Sequence, residues 1–219
     1  MTEISYDDLF ENVRKSWRIV ASYQQRIFYL LDEIESGFPE LTFRYWEPNH
    51  HDRPGRGTSK PTDRWSWDLL PFYSINYWLT PPEKDLKSQL KAGDWFLVFW
   101  IEADSSFYFS KATESKSFNG PDPSMMPPTN ETDSLLWLYA YRVVGANEDN
   151  CTLRDAWGAD DTDEITDEWH LIAETNVERF LWREKLSDLF AEEEATQRFI
   201  LKARTELIKR GTKLEERQS

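Results

Sequence analysis

The stretch PNHHDRPGRGTSKPTDRWSWD, residues 48–68, gathers side chains that could do chemistry. His50 and His51 stand side by side, two of the chain's three histidines. Arg53, Arg56, Lys60 and Arg64 follow, in a protein whose formal net charge is −14. Guanidinium and ammonium groups beside imidazoles could hold a phosphate or carboxylate through charge-assisted hydrogen bonds. Trp65 and Trp67 share a face if the segment is extended, and two indoles could stack on a flat ligand. Asp68 follows them, where a partly buried carboxylate could serve as a general base. The ligand-binding candidates are therefore Arg53, Arg56, Arg64, Trp65 and Trp67. The catalytic candidates are His50, His51 and Asp68. The structural alternative is a solvated loop between two strands, with its tryptophans in the core.

Formal motifs fail one by one. In GRGTSK, Lys60 follows Ser59, whereas a phosphate loop needs Lys before Ser or Thr. Lys60 also stands where a dinucleotide fingerprint needs its third glycine. Neighbouring histidines on a strand point to opposite faces, which disfavours one shared metal site. Glu102 and Asp104 leave the apolar run on one face and could bind a divalent cation or act as acid and base, the structural alternative being a polar strand exit. Asp94 precedes them, but Asp104 occupies the place where a nuclease-like Glu-x-Lys pattern needs its lysine. GADDTDEITDE, residues 158–168, has the acidity of a calcium loop. Ile165 or Thr166 stands where that loop needs glycine. Cys151 sits among acidic residues, which oppose a thiolate. We expect no cofactor and no metal.

The elements that would position these residues follow from periodicity. Leu9, Val13, Trp17, Val20, Ile27, Leu30, Leu31 and Ile34 recur at helical steps, so residues 5–35 read as one long helix. Gly37 and Pro39 suit its end. Residues 41–46 alternate as a strand, and an aromatic strand-like text runs over 65–80. TPPE, residues 80–83, suggests a short helix to about Lys91, ended by Gly93. WFLVFWI, residues 95–101, reads as a central strand covered on both faces, and residues 134–144 as a second. A polar, proline-rich loop over 113–133 separates them. Residues 147–168 carry nine acidic side chains and one arginine, and read as a solvated acidic segment. A short strand over 169–174 comes next. Thr175 and Glu178 then suggest a C-terminal helix, broken near Ser187 and Asp188, with Val177, Phe180, Leu181, Phe199, Ile200, Ala203, Leu207 and Ile208 inward. Gly211 closes it.

Strands grouped between helices predict an α+β fold: a mostly antiparallel central sheet with long N- and C-terminal helices packed on it. We read residues 1–211 as a single domain and 212–219 as a polar tail. Aromatic residues make up 15% of the chain, enough to build a core that is lean in aliphatics and to exclude intrinsic disorder.

The acidity, with 40 Asp and Glu against 26 Lys and Arg, disfavours direct nucleic-acid or anionic-membrane binding. One cysteine, no signal-peptide pattern at MTEISYDDLFENV and no run of ~18–20 apolar residues predict a soluble cytoplasmic protein. Two functions compete. One is an acidic binding or interaction protein, such as an inhibitor or immunity-type module, with a protein partner and a homodimer through the long helices. The other is an enzyme or small-ligand receptor for an anionic substrate, using residues 47–68.

Overall fold

Helix α1, Tyr6–Gly37, follows the predicted stripe and is the longest element. The computed structural model describes residues 6–48, 73–106, 126–145, 151–160, 168–172, 175–209, 211, 212 and 214. Only the last third of α1 is buried, through Ile27, Leu30, Leu31, Ile34 and Gly37. Six strands follow: β1 Thr42–Pro48, β2 Ser74–Thr80, β3 Trp95–Glu102, β4 Leu135–Val143, β5 His170–Leu171 and β6 Val177–Lys185. The shorter helices are α2 Leu153–Gly158, α3 Leu186–Leu189 and α4 Ala195–Lys209. The strands form one antiparallel sheet in the order β1-β2-β3-β4-β6-β5. The α+β architecture and the central place of 95–101 stand as the sequence implies.

Alternation splits the sheet into two faces. Ile75, Leu79, Leu97, Phe99, Ile101, Leu136, Leu138, Ala140 and Phe180 join the buried part of α1 and Phe199, Ile200, Ala203 and Leu207 of α4 in one core cluster. The opposite face carries Trp78, Phe96, Val98, Trp100, Trp137, Tyr139, Tyr141, Val177 and Leu181, with Leu90, Leu153 and Ala156 over it. Cross-strand partners stack there: Phe96 on Tyr141 at 4.6 Å and Trp100 on Trp137 at 5.3 Å. Trp157 of α2 sets its edge against Trp78, Tyr139 and Tyr141.

Three elements differ from expectation. Residues 177–185 are not helical. They form β6, with all nine residues paired to β4. Val177, Arg179 and Leu181 point to the aromatic face at period two, and only the coincidence of steps 177, 180 and 181 imitates a helix. Thr175 serves a turn, its hydroxyl accepting from Val177 N at 3.2 Å and donating to Ile172 O at 2.9 Å. Residues 81–94 are successive turns. Asp85 and Ser88 bond each other and nearby amides there, which competes with helix formation. Within the acidic segment, α2 forms behind a reciprocal capping box of Thr152 and Asp155.

Gly211 adopts φ +83 and closes α4: Thr212 N donates to Leu207 O and Gly211 N to Ile208 O. In α4, Arg204 is 3% exposed. It donates to Gly37 O at 3.0 Å and to both oxygens of Glu40 at 2.9 and 2.6 Å. This fork fixes the exit of α1 against α4.

Candidate functional site

The sequence candidates His50, His51, Arg53, Arg56, Arg64, Trp65, Trp67 and Asp68 lie outside the described residues. The strand ends that bracket them are described. β1 finishes at Pro48 opposite Ile75, and β2 starts at Ser74 opposite Glu102. Glu102 faces Leu135, and Leu135 faces Lys185. Both strand ends therefore lie at one end of the sheet, and a cleft opens at that end.

The cleft has a volume of about 670 Å³. Its floor is the aromatic face, where Trp100, Glu102, Leu135 and Trp137 alternate inward from β3 and β4. Glu102 is 1% exposed, and one of its oxygens accepts from Trp137 Nε1 at 3.2 Å. Trp100 Nε1 donates to Ser74 Oγ at 2.9 Å, which fixes the other indole. Arg183 sets its guanidinium 5.1 Å from the centre of the Trp137 ring. Lys185 bridges to Asp133 at 2.9 Å on the rim. Among the described lining residues, Glu102, Glu131, Asp133, Glu184 and Asp188 outnumber Arg183 and Lys185. Asp104, the other carboxylate at this strand exit, accepts from Ser106 N at 2.9 Å and is not among the described lining residues. Trp100, Trp137 and Arg183 escaped the sequence reading, although the i, i+2 spacings Trp100–Glu102 and Arg183–Lys185 carry the signal.

A second polar cluster sits deeper on the same face. Arg179 and Asp160, 1% and 4% exposed at the side chain, pair at 3.2 Å, and Tyr141 Oη donates to Asp160 Oδ2 at 2.8 Å. Burial, reinforced by that carboxylate, pushes the Tyr141 phenol well above its usual range. Asp160 is thus a buried counter-ion and not part of a solvated run. Cys151 is half-buried, and its thiol donates to Thr152 O at 3.4 Å. His170 is exposed on β5. Among the described residues, no group of three or more His, Cys, Asp or Glu side chains could hold a metal ion.

The third candidate surface is α1 itself. Tyr6, Leu9, Phe10, Val13, Trp17 and Ile19 are between 42% and 80% exposed. All but Ile19 continue the stripe that Ile27, Leu30, Leu31 and Ile34 bury at the other end of the same helix. The first four turns of α1 therefore form an arm whose apolar side chains stay exposed.

The fold and these surfaces define an α+β protein with a six-stranded antiparallel sheet and a projecting N-terminal helix. The chain belongs to the family described as PM0109, whose family model matches residues 3–210. No curated protein and no solved structure matches it.

Proposed function

We propose that the protein is an acidic binding module that works by association with another protein chain, a second copy of itself included. The observation that supports this reading most is the arm of α1. An isolated helix of this length gains little stability from propensity alone, and helices in proteins are held mainly by packing of their apolar face. Here that face bears Phe10 and Trp17, each 56% exposed, where a partner would cover them. Aromatic anchors of this kind dominate interface energetics. The net charge of −14 suits a partner with a basic surface around the docking face. Among the described residues no helix is long and apolar enough to cross a membrane. The reading includes a cytoplasmic location, which the single cysteine favours.

The test compares the native chain with Leu9→Glu/Val13→Glu/Trp17→Glu in extracts of the cell that makes it. The native chain is expected to run in an assembly larger than its 26.1 kDa mass, and the variant at 26.1 kDa. If both run at the chain mass, the reading fails.

The second reading, a small-ligand site, is supported by the cleft over Trp100 and Trp137. Its described lining is net acidic and suits a cationic group better than the anionic ligand expected from residues 47–68. Titrating agmatine, a small guanidinium compound, and observing tryptophan fluorescence tests this. A saturable change that Glu102→Gln weakens supports it, and no change up to millimolar agmatine refutes it.

A further inference from the structure

We infer that the ring of Trp137 is the seat of a guanidinium group brought by the ligand of the cleft, and that Arg183 holds this seat until the ligand displaces it. The inference rests on the small-ligand reading of the cleft and names both the chemistry of the ligand and its competitor. Three observations carry it: what Arg183 touches, where it comes from, and what lies beside the ring it covers.

Arg183 stands opposite Trp137 in the β4–β6 register, and both line the cleft. Its guanidinium rests 5.1 Å from the centre of the Trp137 ring. Arg183 is exposed, and among the described residues its side chain takes part in no ion pair and no hydrogen bond. Lys185, the next residue on the same face of β6, turns instead to Asp133 at 2.9 Å. The ring is therefore what holds the Arg183 guanidinium in place, in a cleft whose described carboxylates outnumber its cations. A ring contact of this kind is weak at an exposed site, ~2–5-fold in an equilibrium constant. Trp137 is 7% exposed with Arg183 over it, so release of Arg183 uncovers the indole at little cost.

The edge of the same ring is tied to a carboxylate that Arg183 does not reach. Trp137 Nε1 donates to Glu102 at 3.2 Å, and Glu102 is 1% exposed. Glu102 belongs to β3 and Arg183 to β6, with β4 between them. The tether to β6 lets Arg183 use the face of the ring but not the carboxylate at its edge. A guanidinium on a free ligand has no such tether. It can lie on the Trp137 face and turn an N–H edge toward Glu102. Ligand and Arg183 then compete for the ring, and only the ligand gains the charge-assisted hydrogen bond. A planar, weakly hydrated ion suits this place better than an ammonium group, which stacks poorly and holds its water tightly. Trp100, stacked beside Trp137 at 5.3 Å and fixed by Ser74, continues the floor for the rest of the ligand. An anion is a poorer occupant, because Glu102, Asp133, Glu184 and Asp188 line the same cleft.

The test uses the purified full-length chain and three probes: agmatine, hexamethylenediamine as its ammonium counterpart, and an end-blocked Gly-Arg-Gly peptide. In the chain with labelled arginine, the Trp137 ring current shifts the Arg183 Cδ protons upfield, and Arg183→Lys assigns them by their loss. As agmatine saturates the native chain, these signals should move to the ordinary arginine position. In calorimetric titrations Arg183→Ala should bind agmatine ~2–5-fold more tightly than the native chain. Glu102→Gln should bind it about tenfold more weakly. The diamine should bind the native chain more weakly than agmatine. The resonance measurement needs only the native fold, and Arg183 is exposed, so a Glu102 variant that fails to fold leaves the test intact. Peptide binding as tight as that of agmatine identifies an arginine of a protein partner as the source. Binding of agmatine alone identifies a free small molecule, and both outcomes support the seat. Agmatine that binds without moving the Arg183 signals overturns the inference. An unchanged Kd in Arg183→Ala, or a diamine that binds as tightly, does the same, and in these cases the small-ligand reading stands. If agmatine binds neither the native chain nor Arg183→Ala, both fail.

Discussion

Replacing Gly37 by alanine should destabilise the fold, although alanine is the better helix former. Gly37 ends α1 within the buried contact with α4. A methyl group built there would lie 2.6 Å from Ile200 Cγ2, 2.9 Å from its Cδ1 and 3.2 Å from its Cγ1. Carbon atoms in contact prefer about 3.5–4.0 Å, so the closest overlap is about 1 Å. Ile200 is 1% exposed and cannot swing into solvent. Overpacking of this kind costs about 1–3 kcal/mol. Glycine's entropy disadvantage within a helix returns about 0.5–1 kcal/mol. The net loss should be about 0.5–2 kcal/mol in urea unfolding at 25 °C, with unchanged m-value. Ile200→Ala removes the three crowding carbons and alone should cost about 2–5 kcal/mol. In Gly37→Ala/Ile200→Ala the two losses should fall short of additivity by about 1–3 kcal/mol, because the overlap disappears. A Gly37→Ala chain as stable as the native one, or strict additivity in the double variant, would refute the reasoning.

Three further outcomes follow from other parts of the sheet. Asp160→Asn leaves Arg179 buried without its charged partner and should cost about 3–5 kcal/mol, whereas Asp160→Leu/Arg179→Met should lose much less; calorimetry of the three chains checks this. Tyr23, Tyr77 and Tyr141 hold their protons above the usual value of 10.0, burial being the largest cause in each. Unfolded tyrosines ionise first as pH rises, so stability should be full below about pH 9 and fall steadily from about pH 10 upward. Urea midpoints across that window test this, and Tyr141→Phe should flatten the decline; a midpoint independent of pH up to about 11 would contradict it. Thr152→Ala removes the cap of α2 and should cost about 1 kcal/mol, with loss of near-ultraviolet circular dichroism as Trp157 loosens over Trp78 and Tyr139.

How far the chain could be read depended on whether local and tertiary signals agreed. β3 was legible because seven large apolar residues in succession leave no solvent face. The end of α4 was legible because Gly211 suits a left-handed turn. Gly37 was legible only in kind: it serves close approach to Ile200, and among the described glycines positive φ belongs to Gly93 and Gly211. β6 was misread because Val177 and Leu181 satisfy both a helix and a strand, four residues being an even number and about one helical turn. Arg179 held the answer, since its burial on the aromatic face requires Asp160, far along the chain. An ion pair between distant residues leaves no trace in local periodicity. The cleft was hidden for the same reason. Trp100, Trp137 and Arg183 meet only through strand register, which no single segment encodes.

The arm of α1 shows the opposite relation. Its stripe is among the plainest patterns in the sequence, and taken alone it implies a buried face from Leu9 to Ile34. The fold supplies a partner only for the last third. Nothing in the stripe distinguishes Val13, 42% exposed, from Ile27, fully buried. Apolar residues scattered on a surface need no explanation, but a contiguous stripe that continues a core seam does. The same periodicity that specifies packing inside the chain therefore extends beyond what the chain can cover.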